Sequence, residues 1–324
     1  MLIDVKNVSK AFRVPVRDSG FKNAVSGFFH RKYKTYQALD DVSFSIHKGQ
    51  MVGYIGPNGA GKSTTIKILS GILIPDKGDC IIDGRVPWED RKRHVSSIGV
   101  VFGQRSQLWW DIPAGDSFGI LKSIYRIDDS MYKKRMNDLC NLFDIGNLLE
   151  KPVRLMSLGQ KMRCEVAAAL IHSPKILFLD EPTIGLDTLT KIKMREMLKE
   201  FNRQDDITMI LTTHDLDDIE ALCSRILMID GGKIVFDGDM EQLKKRANSK
   251  KRIAIEFVSE APDFSTEQVK IVSKEENRIV YEYDPMVVSA QEMLMRLVSE
   301  RRIEDFSVEN EPIEQLISRM YREG

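Results

Sequence analysis

A single glycine-rich segment restricts the fold of this chain more than any other feature. Residues 56–64 read GPNGAGKST and fit the pattern G-x-x-x-x-G-K-[ST] at every fixed position. The apolar residues Met51–Ile55 before it predict a buried strand, and the residues after it predict a helix over Thr64–Ser70 that Gly71 ends. In this order of strand, glycine loop and helix, backbone N–H groups can surround a polyphosphate.

The residue types in the loop suit ATP and Mg²⁺. Glycines let the backbone curl so that successive N–H groups point inward. The Lys62 ammonium should reach the β and γ phosphates, and the Ser63 hydroxyl should ligate Mg²⁺. The alternative is a glycine-rich turn with an incidental lysine, which the strand and helix on either side disfavour. We therefore predict that the nucleotide contacts Gly56, Pro57, Asn58, Gly59, Ala60, Gly61, Lys62, Ser63 and Thr64.

A second apolar strand, predicted at Ile176–Leu179, ends in two carboxylates, Asp180 and Glu181. Ligands of open α/β sheets bind beyond the carboxyl ends of the strands, so both side chains are placed where the phosphates would lie. We expect Asp180 to hold Mg²⁺ through water and Glu181 to polarise the attacking water. Alone, the segment would be interpreted as a strand ending in a solvated acidic turn, but the phosphate loop favours catalysis.

Alternation of strands and helices predicts an α/β fold with a mainly parallel sheet covered on both faces. Further strands are predicted at Met1–Ser9, Val42–Ile46, Val95–Phe102, Thr208–Thr212, Arg225–Ile229 and Lys233–Phe236. Helices are predicted at Met131–Phe143, Leu158–Ile171 and Thr188–Phe201.

A change in composition divides the chain. Residues 243–252 (LKKRANSKKR) are basic and polar, which indicates a linker at about 241–252 between a domain over 1–240 and a small α+β domain over 253–324. The first domain includes a helical subdomain at about 105–172. In the second, strands are predicted at Ile253–Val258, Val269–Val272 and Ile279–Tyr283, and a helix at Ala290–Ser299.

Composition limits the choice of partner. Lys+Arg and Asp+Glu both total 48, so no net field attracts a polyanion, and no nucleic acid partner is expected. The 4 cysteines are far apart, which favours reduced thiols over a zinc site or a disulfide framework. No apolar stretch approaches the roughly 18 residues that span a bilayer. Any membrane role would therefore depend on another chain.

Three further motifs resemble those of the ABC ATPases. The segment 155–163 (LMSLGQKMR) resembles their signature sequence, 213–215 (THD) their switch histidine, and 185–187 (GLD) their D-loop. The order and spacing agree over about residues 1–240. This resemblance implies a P-loop ABC ATPase domain with a helical signature subdomain and an N-terminal antiparallel β part.

The resemblance also implies roles for single residues. Gln104 is expected to sense Mg²⁺ and the attacking water and to connect to a transmembrane subunit. Gln107 is the alternative, because Gly103 stands where the family usually has the glutamine directly after the aromatic. His214 is expected to contact the γ-phosphate, and Asp187 belongs to the D-loop.

An aromatic side chain is expected to stack on adenine. Phe12 is the first candidate and Tyr36 the second, and the insertion between them leaves the choice open. A core position is the other interpretation of either aromatic.

The signature departs from the usual Leu-Ser-Gly-Gly-Gln, since residues 156–160 read MSLGQ. Ser157 and Gln160 form the pattern of a capping box, which makes Ser157 the N-cap of the following helix. Leu158 then occupies the first helical position, where a side chain costs little. Gly159 still permits close approach of a phosphate. We therefore predict that Ser157, Gly159 and Gln160 contact a nucleotide; a capping box without a ligand is the alternative.

In the family architecture each signature closes the phosphate loop of a second ATPase subunit, a homodimer partner or a close paralogue. The expected assembly is a dimer on the cytoplasmic face of the membrane, bound to a polytopic permease. Residues 305–321 resemble the tails of exporter ATPases that serve type-two permeases, which favours export. The basic, aromatic insertion at 13–34 suits either the membrane face or a solvated loop. The alternative function is that of a non-transport ABC ATPase acting on ribosomes or nucleic acid.

Overall fold

The computed structural model of the protein describes residues 1–15, 33–103, 105–213, 215–246, 251–258, 269–285, 287–300 and 302–310. The chain divides into two compact units, Met1–Gly238 and Asp239–Gly324. No helix within the described residues combines the length and the apolar character that crossing a bilayer requires.

The first unit is built on a mainly parallel sheet of six strands. They are β3 (Met51–Ile55), β5 (Ile98–Phe102), β6 (Ile176–Asp180), β7 (Thr208–Thr212), β8 (Arg225–Asp230) and β9 (Lys233–Gly238). Their order in the sheet is β5-β6-β7-β3-β8-β9, and β9 runs antiparallel beside β8. Every residue of β3 and all but the last of β6 are buried, as expected for strands covered on both faces.

An antiparallel sheet forms the N-terminal part of this unit from the strands β1 (Ile3–Pro15), β2 (Tyr33–Ile46) and β4 (Lys77–Ile82). The strand order is β2-β1-β4. The strand predicted to end at Ser9 continues to Pro15, where Pro15 pairs with Tyr33. The two ends of the predicted insertion at 13–34 are therefore strand. Backbone hydrogen bonds between β1 and β2 hold them in place, although their sequence does not alternate apolar and polar residues. Residues 16–32 lie outside the described part.

Seven helices of the first unit fall within the described residues. They are α1 (Lys62–Leu69), α2 (Arg91–Val95), α3 (Ala114–Tyr125), α4 (Asp129–Phe143), α5 (Leu158–Leu170), α6 (Thr188–Asp205) and α7 (Leu216–Leu222), with 3₁₀ turns at Gly146–Leu148 and Val153–Leu155. Helices α3, α4 and α5 lie within the segment that was predicted to form a helical subdomain.

The strand predicted to begin at Val95 is wrong at its start. Val95 ends α2, and β5 begins at Ile98. The Asp90 side chain caps α2, and the buried His94 ring lies 2.8 Å from the main-chain oxygen of Leu69. A capped turn with a buried polar contact therefore overrides the apolar run.

Within the described residues, the elements of the second unit are α8 (Met240–Arg246), β10 (Lys251–Phe257), β11 (Val269–Lys274), β12 (Arg278–Tyr283), α9 (Ala290–Glu300) and β13 (Ile303–Asn310). The strands form an antiparallel sheet of order β11-β12-β10-β13. Ile255, Phe257 and Tyr281 are fully buried in the unit's own core.

Within the predicted linker at 241–252, α8 covers the start and β10 the end, so the described part of the segment is regular secondary structure. Asp239 and Gln242 exchange side-chain to backbone hydrogen bonds of 2.7 and 3.1 Å, and Leu243 is fully buried. A capping box and one apolar anchor therefore make a helix of a segment whose lysines indicated a solvated chain. The predicted α/β class and the antiparallel N-terminal part are confirmed.

Candidate functional site

A cleft of about 660 Å³ opens at the carboxyl ends of β3 and β6. It joins two groups of residues that were predicted separately, the glycine loop and the two carboxylates at the end of β6. The residues from those groups that line it are Asn58, Gly59, Gly61, Lys62, Ser63, Thr64, Asp180 and Glu181. Gly56, Pro57 and Ala60 complete the loop between β3 and α1. The structure thus brings the glycine loop and the two carboxylates to one place.

The loop depends on glycine at two of its positions. Gly61 has φ 114° and directly precedes α1, and a Cβ there would lie 2.5 Å from the main-chain oxygen of Ala38. At Gly56 a Cβ would lie 2.3 Å from the main-chain oxygen of Ile229. Because neither glycine has a Cβ, the loop can pass close to the main chain of Ala38 and Ile229 and turn into α1. The free N–H groups and the dipole at the start of α1 favour an anion.

Lys62 is buried against the loop. Its Nζ donates hydrogen bonds of 2.6 and 3.1 Å to the main-chain oxygens of Gly56 and Pro57. Burial lowers the pKa of the ammonium, while the charges of Glu181 and Asp180 act in the opposite direction. A phosphate is a stronger acceptor than these neutral carbonyls. The ammonium is therefore placed to leave the two carbonyls and bind a phosphate when a nucleotide enters the cleft.

Asp180 ends β6 between β5 and β7. The Thr212 hydroxyl, at the end of β7, donates to its Oδ1 and fixes the carboxylate. No role was predicted for Thr212, although it stands two residues before His214 at the end of a predicted strand. Its partner could not be identified without the strand order.

The residues present suit Mg²⁺. Within the described residues no three or more His, Cys, Asp or Glu side chains form a group that could hold a metal. Mg²⁺ does not need such a cage, because it is commonly bound by one or two carboxylates together with substrate phosphates and waters. Ser63 and Asp180 both line the cleft and provide one hydroxyl and one carboxylate.

Glu181 has an unusual backbone conformation. Its φ is 53°, in the left-handed region that a non-glycine residue rarely adopts. Its N–H donates a 2.8 Å hydrogen bond to the main-chain oxygen of Thr212, which holds the residue there. Such outliers concentrate at functional sites, and this one places a carboxylate in the cleft directly after a metal-ligand candidate.

Tyr36 and Phe12, the two candidates for stacking on a base, lie directly opposite each other in the β1–β2 pair. Their side chains therefore share one face of the ribbon. The Tyr36 hydroxyl donates a 2.5 Å hydrogen bond to the main-chain oxygen of Gly59, and Tyr36 lines the cleft. The structure thus connects the second candidate to the loop, with Phe12 beside it.

Gln104 and His214, predicted to contact the reacting groups, lie outside the described residues. At Gly103 a Cβ would lie 3.0 Å from the main-chain oxygen of Asp180, so a side chain there would press on the carboxylate strand. This crowding is a physical reason for glycine at that position. The alternative glutamine, Gln107, donates a 2.9 Å hydrogen bond from its amide to the main-chain oxygen of Glu165 on α5.

The predicted capping box at the start of α5 is confirmed. Gln160 N donates to Ser157 Oγ at 3.2 Å, and Ser157 N donates to Gln160 Oε1 at 3.1 Å. Leu158 occupies the first helical position with 47% of its surface exposed. At the start of α6 the Asp187 carboxylate accepts from the Thr190 hydroxyl and N–H, and these hydrogen bonds lower its pKa.

These two helix starts lie beside each other. A Cβ on Gly159 would lie 2.7 Å from Thr190 Cγ2, and one on Gly185 would lie 3.0 Å from Leu158 Cδ2. None of Ser157, Gly159, Gln160 and Asp187 is among the residues that line the cleft. The predicted site therefore falls into two separate groups within one chain, the cleft and the α5–α6 surface, which comprises Ser157–Gln160 and Gly185–Thr190.

Comparisons with known proteins identify relatives of this chain. A family described as "ABC transporter" matches residues 39–184. The linearmycin resistance ATP-binding protein LnrL of Bacillus subtilis is 33% identical over 67% of this chain and 69% of its own length. The "Probable sulfate/thiosulfate import ATP-binding protein CysA" of Chlorella vulgaris is 32% identical over 66% of this chain and 89% of its own.

One similar solved structure is that of a dimer. The ATP-binding cassette MJ0796, in a dimeric post-hydrolysis state bound to ADP and Pi, is 26% identical to this chain with a TM-score of 0.61. The match covers 74% of this chain and 98% of the cassette.

Proposed function

The chain belongs to the ABC transporter ATP-binding proteins and hydrolyses ATP, and we propose that two ATPase subunits sandwich the nucleotide to power export through a separate membrane permease. ABC ATPases form dimers and pair with permease subunits. Export is supported by likeness to a resistance protein, although one relative is named for import. We place the subunit at the cytoplasmic face of the membrane, held there by the permease.

One observation carries the sandwich: the cleft and the α5–α6 surface are separate in a single chain. We infer that a second subunit presents the signature residues to the nucleotide. The helix start at Leu158 offers free N–H groups to an anion, as the start of α1 does in the cleft. Each nucleotide would then lie between two helix starts of opposite subunits. The dimeric state of the related cassette supports this assembly.

The residues of the cleft take the following proposed roles. Ser63 and Asp180 would hold Mg²⁺, which when bound neutralises phosphate charge. Lys62 and the loop N–H groups bind the phosphates and balance their charge. Glu181 orients the attacking water and accepts its proton, while His214 contacts the γ-phosphate. Tyr36, with Phe12 at its side, provides the face for adenine.

Gln104 and the α5–α6 surface provide the remaining proposed contacts with the metal, the water and the nucleotide. Gln104 senses the metal and the attacking water, and Ser157, Gly159, Gln160 and Asp187 contact the nucleotide of the opposite subunit. A γ-phosphate held by both subunits favours the closed dimer, and its loss on hydrolysis removes that differential contact. The resulting difference in the stability of the closed dimer before and after hydrolysis would drive the conformational change of the permease.

Cysteine cross-linking tests the sandwich. We would mix an Asn58→Cys chain with a Leu158→Cys chain, both also carrying Glu181→Gln to stall cleavage, and oxidise them with and without ATP and Mg²⁺. Asn58 and Leu158 are exposed, so neither substitution disturbs the core. We expect a disulfide-linked dimer in the mixture with ATP.

The controls account for the native cysteines. Each variant alone, and Asn58→Cys mixed with Lys6→Cys at an exposed position of β1, should stay monomeric on a non-reducing gel. A mixture that fails to cross-link with ATP, or that links equally without it, would exclude the sandwich.

Membrane fractionation distinguishes the transporter role from that of a non-transport ATPase. Co-expressed with its permease, the chain should sediment with membranes, and without the permease it should not. A chain that instead sediments with ribosomes and is released by salt would support the ribosomal alternative.

A further inference from the structure

Asp218 is a buried carboxylate on α7 that the proposed roles above do not use. Its side chain is 0% exposed. It accepts hydrogen bonds from Arg195 Nε at 2.5 Å, from Thr213 Oγ1 at 3.4 Å and from the Thr183 hydroxyl. A buried charge is costly unless it is paired and hydrogen-bonded, and here three donors meet that requirement.

The three donors come from three segments that matter for hydrolysis. Thr183 follows Glu181 by two residues, and Thr213 directly precedes His214. Arg195 lies on α6, the helix that Asp187 caps on the α5–α6 surface. One carboxylate therefore links the segment of the water-orienting residue, the segment of the switch histidine and the helix of the D-loop.

The guanidinium of Arg195 extends this link to the other side of His214. Its second nitrogen lies 3.4 Å from Asp215 Oδ1, and Asp215 also forms an ion pair with Lys191 of α6. Asp215 is the N-cap of α7, and its own N–H donates a 2.9 Å hydrogen bond to Thr213 Oγ1. Thr213 and Asp215, the residues on either side of His214, are thus connected to α6, Thr213 through Asp218 and Asp215 directly.

We propose that Asp218 and Arg195 form a positioning pair that holds the segments of Glu181 and His214 in register with helix α6. A second subunit that moves the start of α6 would then shift both hydrolytic segments together. The proposal rests on the roles proposed above for Glu181 and His214. It concerns positioning, since neither member of the pair is assigned a contact with the nucleotide.

The pair should affect turnover more than binding. The phosphate loop is held by other contacts, among them those of Lys62 with Gly56 and Pro57. Loss of the pair leaves that binding surface intact, whereas a small displacement of reacting groups is costly in rate. A defect confined to kcat would therefore separate positioning from a general loss of structure.

The test measures kcat and KM for ATP hydrolysis, with the thermal midpoint, on the full-length chain and its variants. Arg195→Gln should lower kcat about 10-fold or more while KM stays within about twofold. Arg195→Lys should recover part of the lost kcat, because it restores the charge but not the planar fork. Arg203→Gln is the matched control, since it breaks an exposed ion pair with Glu200 on the same helix and should leave kcat unchanged.

A double variant distinguishes loss of positioning from loss of stability. Arg195→Gln with Asp218→Asn removes both charges and leaves no unpaired buried carboxylate, so its thermal midpoint should exceed that of Arg195→Gln alone. We expect its kcat to stay low. Recovery of the parent kcat would overturn the proposal, because the single variant would then have failed only through an unpaired charge.

Two further outcomes would also overturn it: parent kcat in folded Arg195→Gln, or a rise in KM with kcat unchanged. Glu181→Gln, assayed in parallel, separates this failure from that of the proposed function. If Glu181→Gln keeps its turnover, the assigned hydrolytic roles fail and the positioning proposal fails with them. If Glu181→Gln loses turnover and Arg195→Gln does not, the positioning pair alone is excluded.

Discussion

Replacement of Glu181 with glutamine is expected to lower kcat for ATP hydrolysis by about 100-fold or more, which is the range that a positioned general base contributes. The substitution preserves shape and removes the charge that would accept a proton. The backbone should not change, because the N–H of residue 181 keeps its 2.8 Å hydrogen bond to Thr212. The loss would therefore report chemistry and not folding.

Nucleotide binding should survive the same change. Lys62 retains its hydrogen bonds to the loop, and loss of one nearby negative charge reduces repulsion of the phosphates. We expect the Kd for ATP to remain equal to that of the parent or to fall, and a dimer to accumulate with ATP and Mg²⁺ on size exclusion. Glu196→Gln, on the exposed side of α6, is the control and should hydrolyse ATP at the parent rate.

Steady-state hydrolysis by Glu181→Gln equal to that of the parent would remove Glu181 from its assigned role. A variant that loses turnover but stays monomeric with saturating ATP, with or without its permease, would leave the chemistry in place and contradict the sandwich.

Local physics made much of the site predictable. The glycine loop and the capping box at Ser157 depend on residues a few positions apart, so their hydrogen bonds and φ requirements can be inferred from sequence. The strand that ends in Asp180 and Glu181 was equally clear from its apolar run. In each case neighbouring residues determine the conformation, and the structure places the two carboxylates beside the loop.

Features that depend on strand register or strand order were not accessible. Phe12 and Tyr36 are separated by an insertion, and only the pairing of β1 with β2 shows that they share a face and that Tyr36 reaches Gly59. Thr212 was missed because its partner Asp180 lies on another strand. The link between Asp218 and Arg195 joins two helices across 23 residues and has no local pattern.

The helix within the predicted linker was not accessible for a different reason. Its lysines and arginines indicated a solvated chain, but a helix needs only one apolar anchor and a satisfied N-terminus to form against a core. Leu243 supplies the anchor, and Asp239 with Gln242 supplies the cap. Charge content alone therefore does not reveal the helix there.

Replacement of Lys62 with alanine is expected to weaken ATP binding by roughly 10- to 100-fold, since a hydrogen bond to a charged group contributes about 1.5–3 kcal/mol. The ammonium is buried against the loop, where it donates hydrogen bonds to the main-chain oxygens of Gly56 and Pro57. The fold should persist, because the carbonyls of Gly56 and Pro57 are only partly buried and can bind water instead.

The choice of nucleotide makes this prediction specific. If Lys62 binds the β and γ phosphates, Lys62→Ala should lose affinity for ATP and keep the affinity of the parent for AMP, which has neither group. Equilibrium titrations of both nucleotides measure the two values, and Lys48→Ala, in an exposed pair with Asp206, controls for the loss of one positive charge. An ATP affinity within twofold of the parent would show that the loop N–H groups and helix α1 bind the phosphates without the lysine. Equal losses for ATP and AMP would instead mean that the loop itself had changed conformation. AMP has no β or γ phosphate, so its affinity can fall only through changes in the rest of the site.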